Sequence, residues 1–158
     1  MLKKYLIVFL VSMVPLVELR GAIPYGTFFG LPLWQTYVIA IIANMLPVPV
    51  IYLFARKVLA WGADKPVIGG FFRFCLEKGQ RGGEKLQKKG GGGLFLALLL
   101  FVGIPLPGTG VWTGTLAASI LNMGLKKSSL ACMGGVLLAG CIMAGLSLVG
   151  VSAFGTFG

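Results

Sequence analysis

A short apolar run, Tyr5 to Val17, ends at two charges, Glu18 and Arg20. A helix of that length covers about 20 Å, whereas crossing the hydrocarbon of a bilayer takes about 20 residues, or 30 Å. The chain begins as a membrane span and stops short of completing one. The segment Pro15 to Gly26, PLVELRGAIPYG, sets both charges among two prolines and two glycines. A charged side chain near the centre of a bilayer costs about 2.5–3.5 kcal/mol on insertion scales. Glu18 and Arg20 therefore imply a polar site held by irregular backbone inside the membrane, with a second short helical piece running from Pro24 to Leu31.

The next stretch is long enough. Leu33 to Ala55 can cross as a single helix, with Asn44, Pro47 and Pro49 predicting a kink where the prolines remove backbone donors. The second half then repeats the order. Leu94 to Leu106 matches the first run in length, GIPLPGTGVWTG follows from Gly103 to Gly114, a short piece reaches Leu121, and Ser128 to Gly150 is a full span. Two interrupted short segments at corresponding positions of two halves point to a transporter-type site built from broken helices. The expected fold is an all-α integral membrane protein: an inverted repeat of a re-entrant helical hairpin plus a transmembrane helix. One membrane domain covers 1–158, with a first repeat over 1–55, a basic amphipathic linker over 56–92 and a second repeat over 93–158.

Composition supports the membrane class. The chain is 57% hydrophobic and 11% charged, against about 25% charged in soluble domains. The net charge of +10 could suggest nucleic acid, but nine of the fourteen Lys and Arg lie between Arg56 and Lys89. A basic loop between apolar spans marks the cytoplasmic side, so the linker is expected in the cytoplasm and no nucleic-acid partner is expected. Lys126 and Lys127 mark the same face. The second broken segment then enters and leaves on the cytoplasmic side. The N-terminus lies outside if the first segment is re-entrant and inside if it crosses. Within the linker, Val67, Ile68, Phe71, Phe72, Phe74, Cys75 and Leu76 alternate with Arg73 and Lys78, which suits a short helix lying in the interface. An ordinary loop is the alternative. Gly90 to Gly93 reads as a flexible joint.

Several chemistries lack their residues. There is no His, and Glu18 is the one acid outside the linker, so no zinc set can be assembled. Cys75, Cys132 and Cys141 are odd in number and form no C-x-x-C pair. No nucleophile elbow, P-loop or paired carboxylates appear, so no enzyme, cofactor or metal is expected. Lys3-Lys4 before Tyr5 to Val14 looks like a signal peptide, but Glu18 and Arg20 occupy the cleavage region, so the segment is expected to stay.

The candidate substrate-binding residues are Glu18, Arg20, Gly21 and Pro24 in the first broken segment and Asn44 in the long span. Pro105, Pro107, Gly108, Thr109, Gly110, Trp112 and Thr113 complete the set in the second broken segment. On extended backbone Glu18 and Arg20 share a face. Arg20 can grip an anionic group through its planar donor fork, with Glu18 as a protonatable switch. The alternative is a neutralised pair bonded to loose backbone groups. Backbone of the second segment needs partners from protein, water or substrate, since lipid offers none. Ala131, Gly135 and Ala139, with Gly140 and Ala144, form a small-residue face for packing within the chain or in a homo-oligomer.

The pair ELRGAIP (18–24) and PLPGTGVWTG (105–114), joined by a basic linker, resembles the putative small multidrug export protein family over nearly the whole chain. That family resembles the broader DedA superfamily of facing re-entrant hairpins, some members of which move undecaprenyl phosphate or scramble phospholipids. The resemblance implies a cell-membrane transporter or flippase for an amphipathic substrate, with undecaprenyl phosphate as one example and a membrane lipid or amphipathic small molecule as partner. Two alternatives stand beside it: export of small cationic amphiphiles with Glu18 as counter-ion, and a non-transporting membrane subunit with a structural Glu18–Arg20 pair. This chain is shorter than typical DedA proteins and has no acid or arginine in its second hairpin.

Overall fold

The computed structural model describes residues 2–15, 17–71, 73, 74, 77, 81, 84, 88, 92–106 and 109–155, the side chains of 151 and 153–155 excepted. Among these residues the chain is helical, with no strand. The order is α1 (Leu2–Met13), α2 (Glu18–Phe28), α3 (Leu33–Met45), α4 (Val48–Ala63), α5 (Gly93–Gly103), α6 (Val111–Ile120) and α7 (Leu125–Gly155).

Both short runs break, as their length requires. Helices α1 and α2 have 12 and 11 residues, and α5 and α6 have 11 and 10. Each covers about 15–18 Å of axis. In contrast, Leu33–Ala63 makes 31 residues of apolar helix and Leu125–Gly150 makes 26, both long enough to cross a bilayer. Together with the many exposed Leu, Val, Phe and Trp side chains along these helices, this makes the chain a membrane protein. Water penalises such an apolar surface, while lipid does not.

The first break lies earlier than the sequence suggests. Val14, Pro15 and Val17 lie in the turn, and ELRGAIPYGTF is helix α2 with Pro24 inside it. Glu18 and Arg20 therefore sit in the first turn of a helix, not on extended backbone. Proline lacks an N–H and closes no bond to the carbonyl four residues before it. Here that is one lost bond in a helix packed on α1, α3 and α7, and tertiary packing outweighs the local preference.

The two halves end their short helices in the same way. After α2, Leu31 N–H bonds Gly26 C=O and Gly30 N–H bonds Thr27 C=O, with Gly30 at φ 74°. After α6, Met123 N–H bonds Ala118 C=O and Asn122 N–H bonds Ser119 C=O, with Asn122 at φ 54°. Both are Schellman caps with a left-handed residue, Gly or Asn, the two residue types that tolerate it best. Shortly after each cap the long helix begins, at Leu33 and Leu125.

Hydrogen bonds fix how the hairpins sit. Tyr5 donates to Gln35 at the start of α3, and Lys4 donates to Phe29 C=O at 2.8 Å. The open end of the first hairpin therefore lies beside the start of the first long helix. The second hairpin instead meets α4: Ser119 Oγ donates to Tyr52 C=O at 3.2 Å, and Tyr52 Oη accepts Gly124 N–H at 3.0 Å. The separation of Tyr52 from Gln35 in sequence amounts to about 25 Å along a helix. The open ends of the two hairpins thus lie at different levels along α3 and α4, and their closed ends meet each other.

The long helix α7 binds the halves together. Gly135 lies where a Cβ would come within 2.7 Å of Leu99 O and 2.6 Å of Val102 Cβ, and a Cβ on Gly103 would meet Leu138 Cδ2 at 2.7 Å. Gly140 packs on the Tyr37 ring, whose hydroxyl donates to Leu137 C=O at 3.0 Å. The small-residue face of α7 is therefore filled by α5 and α3 of the same chain. In the linker, Val67, Phe71 and Phe74 are exposed, Arg73 Nε donates to Ala63 C=O at 2.9 Å, and Lys65 lies 4.4 Å from the centre of the Trp61 ring. Phe72, Cys75 and Leu76 lie outside the described residues.

Candidate functional site

The closed ends of the hairpins meet through the two charges. Glu18 is 4% exposed. Its carboxylate accepts Val111 N–H at 3.2 Å and Trp112 N–H at 3.1 Å, the first two donors of α6. A helix N-terminus has four N–H groups without intrahelical partners and a partial positive charge. Glu18 supplies both an acceptor and a negative charge from the opposite half of the chain.

Arg20 does the complementary work on α5. One terminal nitrogen donates to Leu106 C=O at 2.7 Å and to Thr109 C=O. The other donates to Val102 C=O at 3.3 Å, Ile104 C=O at 3.2 Å and Thr109 Oγ1 at 2.9 Å. These carbonyls belong to the last turn of α5 and the loop after it, where free acceptors and the negative end of the helix dipole gather. Acid on a helix start and base on a helix end each stabilise by about 0.3–1 kcal/mol when exposed, and more when partly buried. The planar guanidinium can hold several carbonyls at once, which an ammonium cannot copy.

The loop is shaped to receive them. Gly110 has φ 151° and ψ −172°, a region essentially reserved for glycine. A Cβ there would stand 2.7 Å from Glu18 Oε1 and 2.8 Å from its Cδ. Ile104 is extended before Pro105 and ends α5, as proline requires of the residue preceding it. Thr109 Oγ1 donates within its own loop, with Ile104 C=O and Leu106 C=O both at 2.9 Å. Trp112 Nε1 reaches across to Met13 C=O, the last residue of α1, at 3.2 Å, and Thr113 Oγ1 donates to Gly110 C=O at 3.4 Å.

Of the residues selected from sequence, Glu18, Arg20, Thr109, Gly110, Trp112 and Thr113 come together here. Pro105 flanks them, while Pro107 and Gly108 lie outside the described residues. Gly21 faces Val17 and Val11, where it lets α1 and α2 approach, and Pro24 sits along α2, away from the junction. Asn44 is fully buried on α3, with neither side-chain end hydrogen-bonded. Sequence reading missed the N–H of Val111 and the carbonyls of Met13, Val102, Ile104 and Leu106, because backbone groups have no signature of their own. It also missed Ser12, Tyr52 and Ser119. A signal was present for the backbone set: α5 ends and α6 begins within one short loop, which leaves acceptors and donors side by side.

Arg20 is half-buried and opens toward exposed Ile104 and Leu106. Glu18 lies behind it, closed off. The site therefore has a reachable cation at its rim and an enclosed carboxylate on a helix start.

Residues 18–142 match the family described as "Putative small multi-drug export protein". The chain belongs to that family. The match begins at Glu18 and takes in the first broken segment from there, the linker, the second broken segment and more than half of α7. The family's description names export and no enzymatic activity. Comparison with curated proteins and with solved structures finds no match.

Proposed function

We propose that the protein exports an amphipathic substrate with an anionic head group, a lipid phosphate such as undecaprenyl phosphate being the model, past the junction of the two hairpins. On this reading both hairpins are re-entrant, since helices of 10 to 12 residues fall short of a hydrocarbon core about 30 Å thick. The two halves form an inverted repeat with the basic linker in the cytoplasm, as the resemblance to the DedA superfamily also implies. The observation that carries the reading is the position of Arg20, a half-buried cation on neutral carbonyls at a rim lined by Ile104 and Leu106. A phosphate competes for that guanidinium, because its oxygens match the planar fork bidentately and add an ionic attraction that neutral carbonyls lack. Glu18 meanwhile occupies a helix start, the kind of place a phosphate takes.

The engagement of both charges by the opposite hairpin also supports a second reading, in which the pair is a structural clasp. Flipping of a fluorescent lipid phosphate in proteoliposomes separates them. Export predicts flipping above that of protein-free vesicles, reduced in Arg20→Lys protein that melts close to wild type. The clasp reading predicts no flipping by the wild type.

A further inference from the structure

The far end of α4 carries a pattern that the hairpin junction does not use. Val48, Ile51, Tyr52 and Ala55 bury one face of this helix. The opposite face holds Val50, Leu53, Phe54, Lys57 and Trp61, all exposed. Positions 50, 54, 57 and 61 follow one another at the spacing of a single helix face. That face is apolar from Val50 to Phe54 and then turns to a cation and an indole.

Helix length sets the level of this change. Trp34 and Trp61 are exposed near the two ends of the 31-residue apolar helix Leu33–Ala63. They are separated by at most about 40 Å along the axis, close to the roughly 40–45 Å of a bilayer with its headgroup layers. Tryptophan at both interfaces is the usual anchor of a crossing helix. On such a helix Trp61 stands at headgroup level, with Lys57 one turn inward and Val50, Leu53 and Phe54 against lipid tails.

The chain beyond α4 folds back and brings a second cation to the same indole. Lys65 N–H bonds Gly62 C=O at 3.2 Å, Gly69 N–H bonds Lys65 C=O at 2.8 Å, and Arg73 Nε donates to Ala63 C=O at 2.9 Å. Gly69 lies so close that a Cβ there would stand 2.7 Å from Ala63 O. This turn holds Lys65 Nζ 4.4 Å from the centre of the Trp61 ring. Lys57, four positions before Trp61, is its neighbour on the helix surface. Asp64 is the one acid between Arg56 and Lys65, so this end of α4 keeps positive charge in excess.

We propose that Lys57, Trp61 and Lys65 bind the headgroup of an anionic phospholipid, whose acyl chains lie along Val50, Leu53 and Phe54. The lysines supply charge to the phosphate and the indole N–H a donor, while the stripe below covers the tails. Basic residues beside membrane helices attract anionic headgroups by the same electrostatics. A zwitterionic headgroup brings no net charge and gains little from the two lysines. The site lies on α4, apart from Arg20, and stands independently of the export reading.

The test follows the unfolding midpoint of the purified full chain in detergent micelles that carry phosphatidylglycerol or phosphatidylcholine with the same acyl chains. A lipid that binds the folded state alone stabilises it by mass action. Phosphatidylglycerol should raise the midpoint saturably, by several degrees over phosphatidylcholine, and inorganic phosphate should not reproduce the rise. Lys57→Gln/Lys65→Gln should remove most of the difference between the two lipids. Lys126→Gln/Lys127→Gln, which removes equal charge at the start of α7, should keep most of it. All four lysines are exposed, so both double variants should fold, as their midpoints in phosphatidylcholine will check. Equal wild-type midpoints in the two lipids would overturn the site. Equal losses in the two double variants would do the same, since they mark attraction to charge in general, and so would an equal rise with inorganic phosphate.

Discussion

Glu18 has φ 51°, a left-handed backbone that costs a non-glycine residue about 1–3 kcal/mol. The residue turns the chain from α1 into α2, and its carboxylate caps α6. Replacement by Ala keeps the strain and leaves two N–H groups without an acceptor, each worth about 1–3 kcal/mol when buried. Glu18→Ala should therefore lower stability by about 2–4 kcal/mol, and Glu18→Gln, which keeps one acceptor oxygen, by about half as much. Chemical unfolding in detergent reads the difference. Equal losses would show that the caps contribute nothing. Gly110→Ala attacks the same contact from the other side, since its Cβ would fall on the Glu18 carboxylate at a backbone angle closed to alanine. It should cost at least as much as Glu18→Ala, and the double variant should cost well below the sum. Arg20→Ala strands several carbonyls, so it should harm folding along with transport. Lysine keeps the charge and should restore folding but only part of the transport, because it lacks the fork.

Elements place these residues, and their lengths were legible in the sequence. The short apolar runs, broken near Pro15 and Pro105, became paired short helices, and the long runs became α3–α4 and α7. The kink at Pro47 was legible for the same local reason, a missing N–H. What was not legible is where the first break falls. Pro24 and Gly21 discourage helix, yet α2 contains both because it is packed on three neighbours, and propensity yields to packing. Nor did the sequence tell which partners Glu18 and Arg20 would take. Two charges so close in one segment suggest each other as partners, whereas their hydrogen bonds go to donors and acceptors in the other half of the chain. Glycines on α7 make a test at this scale. Gly135→Ala forces α5 and α7 apart and should lower the melting temperature clearly. Gly145→Ala meets nothing within 4 Å, so it should be neutral or stabilising by up to about 1 kcal/mol through helix propensity. Comparable losses for both would mean that α5 does not seat on Gly135.

At the scale of the whole molecule, two hairpins seated at different levels of the long helices hold each other by their tips. Neither half can satisfy its own ends: α6 takes its cap from the first half, and Arg20 takes its acceptors from the second. On the proposed function such a junction is a contact that export must open, and the basic linker leaves the halves otherwise joined through packing. Cross-linking tests the junction directly. Cysteines replace Met13 and Trp112, whose backbone and side chain meet at 3.2 Å, in protein whose native cysteines at 75, 132 and 141 are changed to Ala. A short bifunctional thiol reagent is applied in membranes, and trypsin then cuts the linker, which holds nine of the fourteen Lys and Arg. The account predicts that the two halves stay joined on a denaturing gel after the reagent and separate without it. Halves that separate in both cases, from protein shown to be folded and labelled at both cysteines, would contradict it.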